Sequence, residues 1–204
     1  MNEYTDDILR GLERVSTARV PRWMHAVARI GHMTIDGDAH WQHYFEAPFD
    51  AHLRDLMTDA SRELKSMYPD VGRCHVYRDE ITLQVGRKLL SKECVHVIAS
   101  ILASQVSISL TLRLGKPVAF RCSMTLLPTE NLVDDYFDNL LNLTKDRTID
   151  IYSDWLLRMT GHKSREAASL LRTMTREQEL HLMAVHGYGF DRLPDWQRKG
   201  VVVD

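Results

Sequence analysis

The sequence predicts an α+β protein in which a ferredoxin-like βαββαβ sheet is followed by a helical C-terminal region. Two observations predict it. Residues 22 to 128 carry strand-type and helix-type patterns in the order strand, helix, strand, strand, helix, strand, the split βαβ arrangement. From Thr129 onward only helical periodicity remains. The expected division is 1–128 for the sheet unit with an N-terminal helix, and 129–204 for helices packed on it as one unit.

Taken in order, residues 2 to 15 read as a short amphipathic helix with Ile8, Leu9 and Leu12 on one face, broken by Arg19 to Pro21. "RWMHAVARIGHMTIDG" reads as a strand ending near Asp36, where Gly37 permits a sharp turn. Phe49 to Tyr68 is the clearest helix, with Leu53, Leu56, Met57, Ala60, Leu64 and Met67 on one buried face. "YPDVG" stops it. Strand-type runs follow at 73 to 78 and 80 to 86. A long helix is expected from Ser91 as N-cap through Cys94, Val95, Ile98 and Leu102. Its C-terminal part, "VSISLTLRL", also fits a strand, and Gly115 and Pro117 are the firm stop. "VAFRCSMTLLP" is the fourth strand. Such a sheet is antiparallel with both helices on one face, which leaves the other face free for a site. Beyond it, Leu132, Tyr136, Phe137 and Leu140 form one apolar stripe, and Ile151, Trp155, Leu156 and Met159 a second, closed by Gly161. Ser164 opens a further helix. Thr175 and Gln178 form a capping box, Gly187 ends that helix, and "YGFDRLPDWQRKGVVVD" reads as an irregular tail.

Composition narrows the class. With 204 residues, 44% hydrophobic and 26% charged, the chain is ordinary for a globular protein. A net charge of −2 excludes a strong global field for nucleic acid but not a local basic patch. Cys74, Cys94 and Cys122 are odd in number and far apart, so neither a disulfide scaffold nor a zinc ribbon is expected. Together with a charged N-terminus lacking an apolar signal region, this makes a reducing cytoplasm the expected compartment. No apolar run is expected to reach the roughly 20 residues of a membrane helix, so no membrane partner is expected.

The carboxylates draw attention next. Asp79 and Glu80 sit together between strand-type runs, and Asp36 closes the first strand. If strand adjacency brings Asp36 near Asp79, the acids repel unless a cation lies among them. Oxygen ligands suit a hard cation, and Mg²⁺ commonly takes one or two carboxylates plus substrate phosphates. A pair of such ions suits phosphoryl chemistry. Against this, Asp-Gly after a strand and Asp-Glu near a hairpin are most often plain turn chemistry.

"IDGDAHWQHYF", "YRDEITLQV", "SKECV" and "ELHLMAVHGYGFDRLPDWQRKG" resemble, in order and spacing, the tRNA-histidine guanylyltransferase family and its relatives, the reverse (3′-to-5′) polymerases. The resemblance runs from about residue 30 to 202 and implies a polymerase-type palm. It implies Asp36 and Asp79 as carboxylate ligands of two Mg²⁺ ions, the carbonyl of Gly37 as a further ligand, and Glu80 at the edge of the site. Residues Asp38, Ala39, His40 and Trp41 would meet a nucleoside triphosphate. Ser91 and Lys92, at a helix N-terminus, would hold its phosphates. The implied substrates are ATP or GTP and tRNA. A 5′-monophosphate is activated, and the 3′-hydroxyl of an incoming nucleotide then attacks it, as in tRNA-His guanylylation or 5′-end repair. Self-association as a dimer or tetramer is expected on the same ground. Several positions differ from the family: His32-Met33-Thr34 precede the Asp-Gly, Arg78 precedes the Asp-Glu, and the fourth-strand motif reads Phe120-Arg121-Cys122-Ser123.

Three further readings are carried forward. Arg73, Arg78, Arg87 and Lys88, with Arg192, Arg198 and Lys199 in the tail, form either a basic rim for RNA phosphates or solvated edges. A nucleotide cyclase or signalling-nucleotide synthase would use a similar sheet and metal pair. A non-catalytic RNA-binding relative would keep the fold alone.

Overall fold

The protein is described from a computed structural model, which covers residues 19–33, 44–92 and 94–204. The N-terminal helix read at 2 to 15, and Asp36, Gly37, Asp38, Ala39, His40 and Trp41, lie outside the described residues.

The sheet is built from β1 (His25–His32), β2 (Cys74–Tyr77), β3 (Glu80–Gln84), β4 (Phe120–Leu127) and β5 (Val201–Val202). Their order is β4-β1-β3-β2-β5, and every neighbouring pair is antiparallel. The first four strands keep the order expected of the split βαβ arrangement. β5 corrects the reading of the tail as irregular: Val201 and Val202 pair with Val76 and His75. Two residues carry no periodicity of their own, so a strand this short is defined only by its partner.

Alternation sorts the strands into two faces. Ala26, Ala28 and Ile30 of β1, Ile81 and Leu83 of β3, and Cys74 and Val76 of β2 enter the main core. Two helices close that core. α1 (Ala51–Met67) starts at Asp50, whose carboxylate accepts the Leu53 N–H at 2.8 Å and satisfies one orphan donor of the first turn. Its buried stripe is Leu56, Met57, Ala60 and Leu64. Met67, expected on that stripe, is 47% exposed.

α2 (Arg87–Lys92) and α3 (Val95–Leu114) replace the single helix expected from Ser91. Ser91 is not an N-cap. It lies in the last turn of α2, and its Oγ donates to the Lys88 carbonyl at 2.9 Å. α3 begins after Cys94 and runs without a break to Gly115, whose φ of 64° ends it in the left-handed cap that glycine favours. "VSISLTLRL" is therefore helical. Ile98, Leu102, Val106 and Leu110 are fully buried against the sheet, each contributing about 1.5–3 kcal/mol. Contrary to the expectation of no such stretch, α3 is long and apolar enough to cross a membrane by length and composition, although one face of it lies in this core.

α4 (Glu130–Met159) unites the two apolar stripes read separately, in one helix of 30 residues. It crosses the second face of the sheet, so that face is not free as expected. Val133, Phe137 and Leu140 pack there with Val27 of β1. Further along, Ile149, Tyr152 and Leu156 join Phe49, Tyr77, Met183 and Leu193 in a separate cluster. α5 (Ser164–Leu171), α6 (Arg176–Val185) and α7 (Asp195–Arg198) complete the chain. The capping box of α6 is formed as read: Thr175 N–H donates to Gln178 Oε1 at 2.8 Å, and Gln178 N–H to Thr175 Oγ1 at 3.3 Å.

Candidate functional site

Arg78 and Asp79 form the two-residue turn between β2 and β3. Arg78 has a φ of 52°, an uncommon conformation for a side-chain-bearing residue, and its guanidinium lies 5.6 Å from the centre of the Phe49 ring. Asp79, half-buried, follows at the tip. Among the described residues no hydrogen bond or ion pair occupies its carboxylate, and it lies near enough to His32 to favour the cationic imidazole. Burial outweighs that influence and holds the His32 pKa below its ordinary value.

Glu80 behaves differently. As the first residue of β3 it pairs in register with Gly31 of β1 and faces the α4 side of the sheet. Arg29, two residues earlier on β1 and on the same face, reaches it at 2.6 Å, and Arg147 of α4 approaches its other oxygen at 3.4 Å. The hydrogen bond to Glu80 raises the Arg29 pKa. A largely buried carboxylate between two guanidiniums is paired and needs no metal to be tolerated there. The fit of a divalent cation is therefore partial. Asp79 offers an unpaired hard donor, Glu80 is engaged, and the described residues contain no group of three or more His, Cys, Asp or Glu placed to hold a metal.

Around these residues lies a cleft of about 500 Å³, within the range of small-ligand sites. Arg29, Gly31 and His32 come from β1, Glu80 from β3, Arg121, Cys122 and Ser123 from β4, and Arg147 from α4, with Asp79 at one end. Cys122 is no thiolate nucleophile, since burial pushes its pKa up to about 12. A second cavity of about 700 Å³ opens on the other side of the hairpin tip, between the start of α1 and helices α4 to α7. Phe49, Trp155 and Trp196 give it aromatic walls, and Arg78 and Asp79 form part of its rim.

The remaining sequence candidates scatter. Ser91 and Lys92 occupy the C-terminal end of α2, where the helix dipole opposes an anion; the N-terminus of α3 follows only at Cys94. Arg87 and Lys88 lie beyond the far end of β3 from Arg78, so these three do not share one rim. Arg87 is tied to the Arg22 carbonyl and to His25, at 3.0 Å for the latter. Arg73 pairs with Asp134 at 2.9 Å, and Arg198 and Lys199 both pair with Asp195. Arg29, Arg121 and Arg147, the cations that do line one cleft, were not read as site residues, Arg121 having been noted only as a departure from the fourth-strand motif. Only the period-2 alternation of "AVARIGH" and "FRCSMT", which puts Arg29 and Arg121 on the face opposite the apolar residues, carried a signal for two of them.

No family profile and no curated protein matches the chain in sequence. Solved structures match it in fold. The tRNA(His) guanylyltransferase of Saccharomyces cerevisiae superposes with a TM-score of 0.76 at 16% identity, over 94% of this chain and 90% of that one. A bacterial tRNA(His) guanylyltransferase-like protein in complex with ATP gives 0.75 at 17% identity, over 97% and 87%. Such a protein in complex with GTP gives 0.71 at 15% identity, over 98% and 84%. The resemblance read from the motifs thus holds for the fold across nearly the whole chain.

Proposed function

We propose that this chain is a nucleotidyltransferase that adds a nucleotide to the 5′ end of a tRNA. One observation carries the reading: nearly the entire chain shares its fold with a tRNA(His) guanylyltransferase and with relatives bound to ATP and GTP. The hairpin adds a half-buried aspartate, unpaired among the described residues, at the junction of two cavities.

In this reading Asp79 holds a divalent cation, Mg²⁺ by donor hardness, together with Asp36 and the Gly37 carbonyl. When bound, that cation neutralises phosphate charge and favours ionisation of the attacking 3′-hydroxyl. The chain's own residues do the positioning. Arg29 and Arg147 fix Glu80, and so fix the start of β3 directly after Asp79. Glu80 is then a support for the hairpin rather than a metal ligand. The cavity walled by Phe49, Trp155 and Trp196 has the size to take the base of a nucleotide.

The test is incubation of the purified chain with Mg²⁺, labelled GTP or ATP, and a tRNA lacking its first nucleotide. Extension at the 5′ end is expected, and Asp79→Ala should abolish it without lowering the Tm. A nucleotide product formed without RNA would favour a signalling-nucleotide synthase. Failure to turn over any nucleoside triphosphate, with or without RNA, would end the enzymatic reading.

A further inference from the structure

Arg29, Arg121 and Arg147 come from three separate elements, β1, β4 and α4, and line one cleft. Two carboxylates, Asp79 and Glu80, share that lining, so among the described residues one positive charge remains in excess even with both acids ionised. The excess lies toward β4: Glu80 is taken up by Arg29 and Arg147, whereas Arg121 is exposed and has no ion pair among the described residues. A guanidinium carries five N–H donors. Each of the two arginines on Glu80 spends only part of its set there, and Arg121 spends none of its set on the described residues. Gly31 lies between Arg121 and Glu80 in the strand register, and a side chain built on it would meet nothing within 4 Å. The floor between the cations is thus open backbone. A cleft with surplus guanidinium donors, an open floor and a hydroxyl from Ser123 at its wall matches phosphate oxygens rather than an apolar or cationic ligand.

We propose that this cleft seats phosphate groups of the RNA strand whose 5′ end is presented to Asp79, with Arg121 as the principal contact and Arg29 and Arg147 as shared ones. This rests on the proposed function and deepens it by placing the RNA strand on the α4 side of the sheet. The chemistry itself, a phosphate oxygen against arginine, would equally serve a free triphosphate, and the experiment separates the two sources.

The experiment measures binding of a fluorescently labelled 5′-monophosphorylated tRNA to the full chain by anisotropy, between about 50 and 200 mM salt. Arg121→Glu should weaken binding by about tenfold or more at the lower salt, and Arg121→Ala should reduce the slope of log affinity against log salt by about one, the value for one lost phosphate contact. Arg121 is exposed, so both variants should keep the wild-type Tm. Wild-type affinity and slope in both variants would overturn the proposal. In a parallel arm with ATP alone, weakened ATP binding beside unchanged tRNA binding would overturn the assignment to RNA. The two readings fail separately. Normal 5′ extension by Arg121→Glu, with unchanged tRNA affinity, sinks the cleft and leaves the enzyme. Arg121-dependent tRNA binding by a protein that never extends sinks the enzyme and leaves the cleft.

Discussion

Besides the Arg147–Glu80 pair, a buried hydroxyl pair ties the hairpin that carries Asp79 to the helical region, and breaking it gives a measurable coupling. Tyr77 Oη lies 2.9 Å from Thr148 Oγ1 of α4, and Thr148 Oγ1 in turn reaches the Gln197 carbonyl of α7 at 2.6 Å. Tyr77 is 2% exposed and Thr148 fully buried, so water cannot substitute for either partner. Burial also raises the Tyr77 pKa, which keeps the hydroxyl protonated and able to donate. Tyr77→Phe removes one neutral hydrogen bond and should cost about 0.5–1.5 kcal/mol. Thr148→Val keeps the shape but orphans the tyrosine hydroxyl and the Gln197 carbonyl, at about 2–3 kcal/mol in total. For a chain of this size that corresponds to a Tm lower by roughly 4–12 °C. In the double variant the tyrosine hydroxyl is no longer there to be orphaned, so the two costs should fall short of additive by about 1 kcal/mol. Urea denaturation of the four proteins in a double-mutant cycle measures this. Additivity within about 0.3 kcal/mol would show that the pair does not couple the hairpin to α4, and the reasoning would fail.

Other perturbations follow from the same physics. Gly200→Ala places a Cβ at a φ of 76°, 2.6 Å from the Val76 carbonyl and against the His75 ring; it should cost about 2 kcal/mol or more and detach β5, read as loss of amide-exchange protection at Val203, whose N–H donates to the Cys74 carbonyl at 2.9 Å. Leu102→Ala empties a fully buried site between α3 and the sheet and should lower stability by about 2–5 kcal/mol in chemical denaturation. Acidification should destabilise the fold. Burial holds the His75 pKa below its ordinary value, against the opposing influence of the Lys199 carbonyl and Glu80. The unfolded chain therefore takes up a proton near pH 6.5 that the folded one refuses, so this part of the stability is present above about pH 6.5 and lost as pH falls below it. Half-buried His32 acts in the same direction. Thermal melts between about pH 7 and 5 should show the decline, and His75→Gln should flatten it.

Particular elements show where local sequence suffices. α1 and β1 were readable because each carries enough residues to express a period, and Gly115 because it acts on its own neighbours. Thr175 and Gln178 were readable for the same reason, since a capping box closes within four residues. Ser91 misled because a residue with N-cap chemistry also sits comfortably inside a short helix, and α2 was too short to show a period. The nucleotide loop expected after Asp36 lies outside the described residues, so the carboxylate pair was read from sequence and only Asp79 of it is placed.

By itself the sequence determined the order of strands and helices and the acidic tip of the hairpin, because these follow from side-chain spacing and turn chemistry within a few residues. Only the tertiary structure decided that α4 crosses the second sheet face, that the chain's end returns as β5, and that Glu80 belongs to Arg29 and Arg147. It also gathered Arg121 with those two, although Arg29 lies 92 residues before it in the chain. Each of these depends on strand register and on the path of a long helix, and such contacts between distant segments leave no periodic trace in either partner.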